Sequence, residues 1–468
     1  MEINIDYKKI LNDYDRYYEN SLNTARITYS DILPLINEIK GNNLFRVENA
    51  GKSIEGREIF YIALGNGSKK ILAWSQMHGD EPTATAALFD TLNFFSQSDE
   101  YTFIRNEILE KLQIIFIPML NPDGAERHQR ENKINIDVNR DASRCISPES
   151  KLLWQIAEKF KPEFGLNLHD QNSYYTAGRA GNSAAISMLA PPFNFDKSIN
   201  ECRKKSMQVI SSIYQTLTQF IPGQIGRYKD DHEPRSFGDT FTGNNISTIL
   251  IESGFIKNDN DKNYIRKMNF ISLLSVFLSI ATEDYKKINE MDYFSIPENE
   301  TLLFDLLLRN LFISENGKEF KVDIGINREK KFNLKNNQFY YKGKIAEIGD
   351  LSIHHGIEEY DLPGYHVQPA RIFEKELKSI DEIKDYEKML YNGYGFVKLD
   401  PFAIDNDYTE CKINIIPSYL KYEPSITVDE YANLSLFWEN QMDYIVINGF
   451  IEDISEQKKS ILNGIVIS

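Results

Sequence analysis

From Phe60 to about Thr282, apolar runs of strand length alternate with amphipathic stretches of helical period. The runs 71–77 and 112–120 are apolar, and 164–170 and 247–254 read as a third and fourth strand, so both faces of the strands are expected to be buried. The stretches 82–96, 149–161, 196–218 and 261–282 read as the helices that cover them. This pattern predicts an α/β fold: a three-layer, mostly parallel twisted sheet with helices on both faces. Ahead of it, Ile32, Leu35, Ile36 and Ile39 fall at helical spacing, so 1–44 reads as a helical lead-in to a domain spanning 45–288. Beyond about residue 290 the texture changes to short β-rich runs such as 339–341, 396–399 and 444–447, with turn signals at Asn316-Gly317 and Asn463-Gly464. Residues 289–468 are therefore expected to form a smaller β-rich C-terminal domain.

Bulk properties narrow the partners. A chain of 468 residues with a formal charge of −16 suits neither nucleic acid nor an anionic membrane surface. Cys145, Cys202 and Cys411 are odd in number and unrelated in spacing, which suggests neither a disulfide framework nor a thiolate zinc knot. The start of the chain has no basic segment followed by an apolar core, and no window approaches 18 uninterrupted apolar residues. A cytoplasmic protein is expected. No GxSxG elbow and no P-loop occur, and oligomeric state is not legible.

The candidate chemistry gathers where strands end. His78-Gly79-Asp80-Glu81 directly follows the run 71–77, and a His and a Glu three apart at a strand's carboxyl end can turn toward one cation. Imidazole nitrogen and carboxylate oxygen are usual zinc donors, and hydrolytic sites take three protein ligands and leave a position for water. Taken alone, HxxE reads as a surface turn. Three later segments change that reading: Asn121-Pro122-Asp123-Gly124 with Arg130 and Asp137-Val138-Asn139-Arg140 after a second strand, His169 at the end of a third, and Glu252 at the end of a fourth. In open α/β sheets the crevice outside the strands' carboxyl ends is the functional one, so these residues are expected to share a site.

Together these motifs resemble the zinc carboxypeptidases, the M14 metallopeptidases, whose pattern runs HxxE, NPDG, R…DxNR, a strand-terminal His and a strand-terminal Glu. The segment 51–59, with Gly51, Ser53 and Glu55-Gly56-Arg57, is similar to that family's GxSxEGRxI stretch. The resemblance covers roughly residues 45–285 and makes that domain the catalytic one. It implies one Zn²⁺ held by His78, Glu81 and His169, an ion that lowers the pKa of its water from about 15.7 toward about 7. Glu252 would be the general base and later the acid, and Arg130 would polarise the scissile carbonyl, with Arg127 as the alternative. Asn139 and Arg140 would clamp a terminal carboxylate, since a planar guanidinium suits bidentate binding. Asp137 would accept the free ring N–H of His78. The implied partner is a peptide substrate with a free C-terminal carboxylate.

Some positions depart from the pattern or stay open. Asp80 stands where many family members carry a basic residue for an outer subsite. Tyr228 is the candidate for the family's mobile substrate tyrosine, or an ordinary loop tyrosine. Asp239 would either favour a basic or amino-bearing terminal residue or serve as a capping carboxylate. His128 is a candidate for the cleft wall, His232 reads as part of an exposed acidic run, and His354 and His355 read as surface residues. The β-rich tail resembles the small β-sandwich that flanks the barrel of metal-dependent amidohydrolases. Two rival functions remain: a zinc-dependent N-acyl amino acid deacylase of the aspartoacylase or succinylglutamate desuccinylase kind, and a non-catalytic peptide-binding relative.

Overall fold

Successive residues of the strand 69–74 face opposite hydrophobic clusters: Ile71 and Ala73 lie in one, Leu72 and Trp74 in the other. Both faces of this strand are thus covered, as its unbroken apolar sequence requires. A computed structural model describes residues 5–22, 24–383, 385–455 and 460–467, so the start of the chain at 1–4 lies outside the described residues. By its internal contacts the chain divides into two units, Met1–Thr301 and Leu302–Ser468. The division falls a little past the change of sequence texture at 288.

In chain order the first unit comprises α1 (Tyr7–Asn12), α2 (Tyr29–Ile39), β1 (Arg46–Lys52), β2 (Glu58–Leu64), β3 (Lys69–Trp74), α3 (Thr83–Ser96), α4 (Thr102–Lys111), β4 (Leu112–Ile117) and α5 (Pro122–Arg127). It continues with α6 (Pro148–Phe160), β5 (Phe164–Asp170), β6 (Tyr175–Ala177), β7 (Ile186–Leu189), α7 (Glu201–Leu217), β8 (Ile225–Arg227), α8 (Phe237–Gly243), β9 (Ser247–Ser253), α9 (Asn263–Thr282) and β10 (Asn299–Thr301). Eight of the strands form one sheet in the order β1-β2-β4-β3-β5-β9-β7-β8. The pairings β4-β3, β3-β5, β5-β9 and β7-β8 are parallel, whereas β1-β2, β2-β4 and β9-β7 are antiparallel. The parallel centre is the part visible in the periodicity. β7 and β8 are too short to carry a period of their own.

Helices α3, α7 and α9 cover one face and α6 and α8 the other, which makes three layers. Helix α9 is long and apolar enough to cross a membrane by composition, but 89% of that stretch is buried within the unit, where it packs on α3 and α7. It is a core helix. The lead-in residues Ile10, Tyr14, Tyr17, Ile32 and Ile36 belong to the same cluster as α3 and α9.

A buried ion pair ties the lead-in down. Arg266 on α9 donates to both oxygens of Asp90 on α3 at 2.7 and 2.6 Å, with both side chains fully buried, and the Tyr14 hydroxyl donates to the same carboxylate. Arg266 also donates to the carbonyls of Leu22 and Glu19. Removing one partner of such a pair leaves an uncompensated buried charge. Asp90→Ala is therefore expected to cost about 3–5 kcal/mol of stability, measured as a lowered midpoint of urea unfolding.

The second unit is β-rich. Leu303–Glu315 and Lys318–Asn333 form a long antiparallel hairpin, whose Asn316-Gly317 turn has φ of 52° and 72°. Positive φ at both central residues is what the Asn-Gly signal supplies. That hairpin belongs to an eight-stranded sheet, and a separate three-stranded parallel sheet joins Arg371–Leu377, Tyr394–Leu399 and Asn414–Pro417. Asn463-Gly464 is not a turn. Gly464 begins a two-residue strand paired with Tyr408–Thr409, and a Cβ there would lie 2.1 Å from the Ile413 carbonyl oxygen, so a close approach of backbones explains this glycine.

Candidate metal centre and active-site cleft

β3 and β5 are neighbours in the sheet, yet the chain leaves β3 toward β4 on its other side. The connections on the two sides therefore diverge above the carboxyl ends of β3 and β5, which opens a crevice there. His78 follows β3 and His169 sits at the end of β5, directly in register with Glu252 on β9. The turn after β3 is tight: Gln76 has φ of 41°, and the Glu81 amide donates to the His78 carbonyl at 3.3 Å. Gly79 is required in it, because a Cβ there would lie 2.0 Å from the backbone of Gly124. The NPDG helix thus presses directly on the HGDE turn.

That helix is itself anchored by the 51–59 segment. Asp123, fully buried, accepts from the Ser53 hydroxyl, the Glu55 amide and the Arg57 guanidinium at 2.8, 2.9 and 2.7 Å. Asn121 caps the helix by accepting from the Gly124 amide at 2.9 Å. These two motifs act through the scaffold that positions the site.

His78, Glu81 and His169 converge. One ligand atom from each lies within 4.8 Å of the others, and all three residues are buried. The His78 Nδ1 is 2.7 Å from Glu81 Oε1, and the His169 Nδ1 is 2.7 Å from Glu81 Oε2 and 3.1 Å from His78 Nδ1. Two imidazole nitrogens and a carboxylate facing one point are a donor set that fits zinc. Burial opposes the charge of Glu81, but the two imidazoles outweigh it and hold the carboxyl well below the usual range. Burial also works against an imidazolium at His78, yet Glu81 and Asp137 push its pKa up to about 9. Asp137 lies 3.1 Å from His78 Nε2, the ring nitrogen turned away from the cluster, while Nδ1 faces inward.

The remaining candidates line a cleft of about 300 Å³ that also contains the three residues above. Arg130 lies across the cluster, donating to Asp137 Oδ2 at 3.0 Å and to Glu81 Oε1 at 3.4 Å. Arg127 is instead engaged by Glu55 and is not part of the cleft wall. Glu252 is buried among these charges. Burial first, and the Glu81 carboxylate second, raise its pKa well above the usual carboxylate range. Arg140 projects into the cleft at 40% side-chain exposure, with Nη1 donating to the Asn139 carbonyl and Nε 3.5 Å from Glu233. Asn139 is buried; its side-chain oxygen accepts from the Phe237 amide at 3.0 Å, and its Nδ2 lies 3.5 Å from the His169 Nε2. The Tyr228 hydroxyl lies 3.4 Å from that of Tyr175, and burial and the nearby Glu252 raise its pKa.

Asp239 takes one of its two sequence readings, whereas His232 and His128 are differently placed from theirs. Asp239 lines the cleft, but its oxygens are taken: Oδ2 accepts from the Ser236 hydroxyl at 2.6 Å, and Oδ1 accepts from the Glu233 amide at 3.0 Å and faces His232 Nδ1 at 2.9 Å. Ser236 caps α8 and Asp239 is the third residue of that helix, so the carboxylate sits in the capping role. His232 is correspondingly not exposed; its side chain is 9% accessible and packs on Phe195. His128 ends α5 with φ of 48° and does not line the cleft, nor does Asp80. Among the described residues, His354 and His355 belong to no potential metal cluster. The cleft also contains residues that no motif marked: Asn167, Asp170, Gln171, Tyr175 and Glu233. Asn167 and Asp170 sit within two residues of His169, and β-strand alternation from that histidine was a signal for Asn167. Tyr175 had none.

Comparison with known proteins finds carboxypeptidases over part of the chain. The zinc carboxypeptidase family profile matches residues 35–208. Carboxypeptidase 2 of Trichophyton rubrum is 27% identical over 185 residues, 36% of this chain and 33% of that protein. Carboxypeptidase SOL1 of Arabidopsis thaliana is 28% identical over 106 residues, 21% of this chain and 22% of that protein. The chain thus spans about a third or less of the length of these relatives. Among solved structures, a metallo-carboxypeptidase from Burkholderia cenocepacia aligns over 55% of this chain and 70% of its own, with 15% identity and a TM-score of 0.45. Within its α/β unit, residues 35–208 of this chain are thus similar to the zinc carboxypeptidases of the M14 family.

Proposed function

We propose that the protein is a zinc-dependent hydrolase that removes residues from the free C-terminus of peptides. The observation that carries this reading is the single cleft in which the donor set of His78, Glu81 and His169 lies beside Glu252, Arg130 and Arg140. A zinc ion bound by that set would supply Lewis acidity for hydrolysis of the amide. The residues of the chain supply the rest. The raised pKa of Glu252 suits a carboxylate that accepts a proton from the attacking water and returns it to the leaving amine near neutral pH. Arg130, which pairs with Asp137 and Glu81 beside the donor set, would donate to the scissile carbonyl oxygen as charge develops on it. Arg140 and the Asn139 amide would hold the terminal carboxylate, and Tyr228 would close over the substrate from the rim.

The donor set is tested by zinc analysis of protein purified without added metal. Removing any one of three ligands is expected to lower zinc occupancy at least about tenfold, since even changes to groups behind the ligands act on that scale. Full retention of zinc by His169→Ala would end the ligand assignment. A chelator is expected to abolish peptide cleavage, and added zinc to restore it. Cleavage of N-acyl amino acids, but not of hippuryl-type peptides, would move the reading to a deacylase.

A further inference from the structure

Behind the catalytic row of the sheet lies a second row on the same face. Asn167 is two residues before His169 on β5 and Leu250 two before Glu252 on β9, so strand alternation points both to the cleft side. Asn167 pairs in register with Leu250, and Leu250 with Leu189 of β7. All three line the cleft, with Pro191 and Gly238 beside them. A terminal side chain held near Arg140 would meet this floor. It is mostly apolar, with one exception. Asn167 is 1% exposed, and neither its Oδ1 nor its Nδ2 has a hydrogen-bond partner among the described residues. A buried amide left unpaired costs more than most hydrogen bonds contribute, so its presence in a cleft calls for a complementary occupant. Asp239, the nearby carboxylate, offers no such contact, because its oxygens already serve Ser236, Glu233 and His232.

We propose that Asn167 determines specificity by selecting a terminal residue whose neutral side chain both donates and accepts hydrogen bonds, with the carboxamide of glutamine or asparagine as the best match. This rests on the carboxypeptidase reading and names its substrate class. A carboxamide pairs with Asn167 reciprocally, one N–H to each carbonyl oxygen. An aliphatic side chain leaves Asn167 unpaired, and a basic one finds the Asp239 carboxylate already engaged by Ser236, Glu233 and His232.

Binding to the zinc-loaded full chain carrying Glu252→Gln separates specificity from turnover. Calorimetric titration with hippuryl-Gln, hippuryl-Leu, hippuryl-Glu and hippuryl-Lys is expected to show hippuryl-Gln bound at least about tenfold more tightly than the other three. Adding Asn167→Leu should reverse the order of the Gln and Leu peptides, with folding checked by thermal melting. The comparison of peptides on unaltered Asn167 stands even if that variant does not fold. Equal affinity for the Gln and Leu peptides would overturn this inference and leave the carboxypeptidase reading intact. So would an unchanged preference in folded Asn167→Leu, the result expected if Asn167 pairs internally with the Trp74 indole N–H, which faces it in register and also lacks a partner. Binding of none of the peptides would overturn both.

Discussion

Glu252→Gln is expected to lower kcat by about 10²-fold or more while zinc content stays unchanged. The substitution keeps the shape and hydrogen-bonding capacity of the side chain but removes its ability to take a proton. Glu252 contributes no atom to the donor set of His78, Glu81 and His169, so metal binding should not respond. Its burial raises its pKa in the same direction as a shuttle near neutral pH requires, and glutamine cannot reproduce that. Steady-state kinetics with metal analysis on the same preparation checks both halves of the expectation. Near-normal turnover in the variant would assign the proton to another group.

The second large effect is expected at Arg140. A guanidinium paired with a substrate carboxylate forms a charge-assisted bidentate contact, and truncating one partner of such a pair costs about 2–5 kcal/mol. Arg140→Ala should therefore lower kcat/KM for free-acid peptides by roughly 30- to 5000-fold. In the structure the guanidinium is 40% exposed and its neighbour Glu233, which Arg235 grips at 2.9 and 2.7 Å, is held ionised with a pKa of about 2. A pair with this much solvent contributes little by itself, so loss of the Glu233 contact cannot account for an effect of that size. A fall of less than threefold would place the carboxylate clamp elsewhere.

The catalytic candidates were legible because each stands at the end of a strand whose apolar run is long enough to read. His78, His169 and Glu252 inherit their positions from β3, β5 and β9, and parallel pairing of those strands brings them together. Asp239 was ambiguous for a different reason. Serine followed three residues later by a carboxylate is a helix-start signal, but α8 has only seven residues and shows no periodicity of its own. His232 looked solvated because its neighbours in sequence are acidic, whereas its environment is set by Asp239, seven residues on. The antiparallel strand β7 and the short β8 carry Leu189 and lead to Tyr228, and four- and three-residue strands leave no pattern to find. The buried pair of Asp90 and Arg266 joins residues 176 apart, which local sequence cannot announce.

The central claim, exopeptidase action directed by a terminal carboxylate, is tested most directly by mass spectrometry of one peptide offered as its free acid and as its C-terminal amide to the intact zinc-loaded protein. The account predicts stepwise loss of single C-terminal residues from the free acid, and cleavage of the amide slower by at least about 30-fold. Equal cleavage of the two forms, or products cut within the chain, would contradict it.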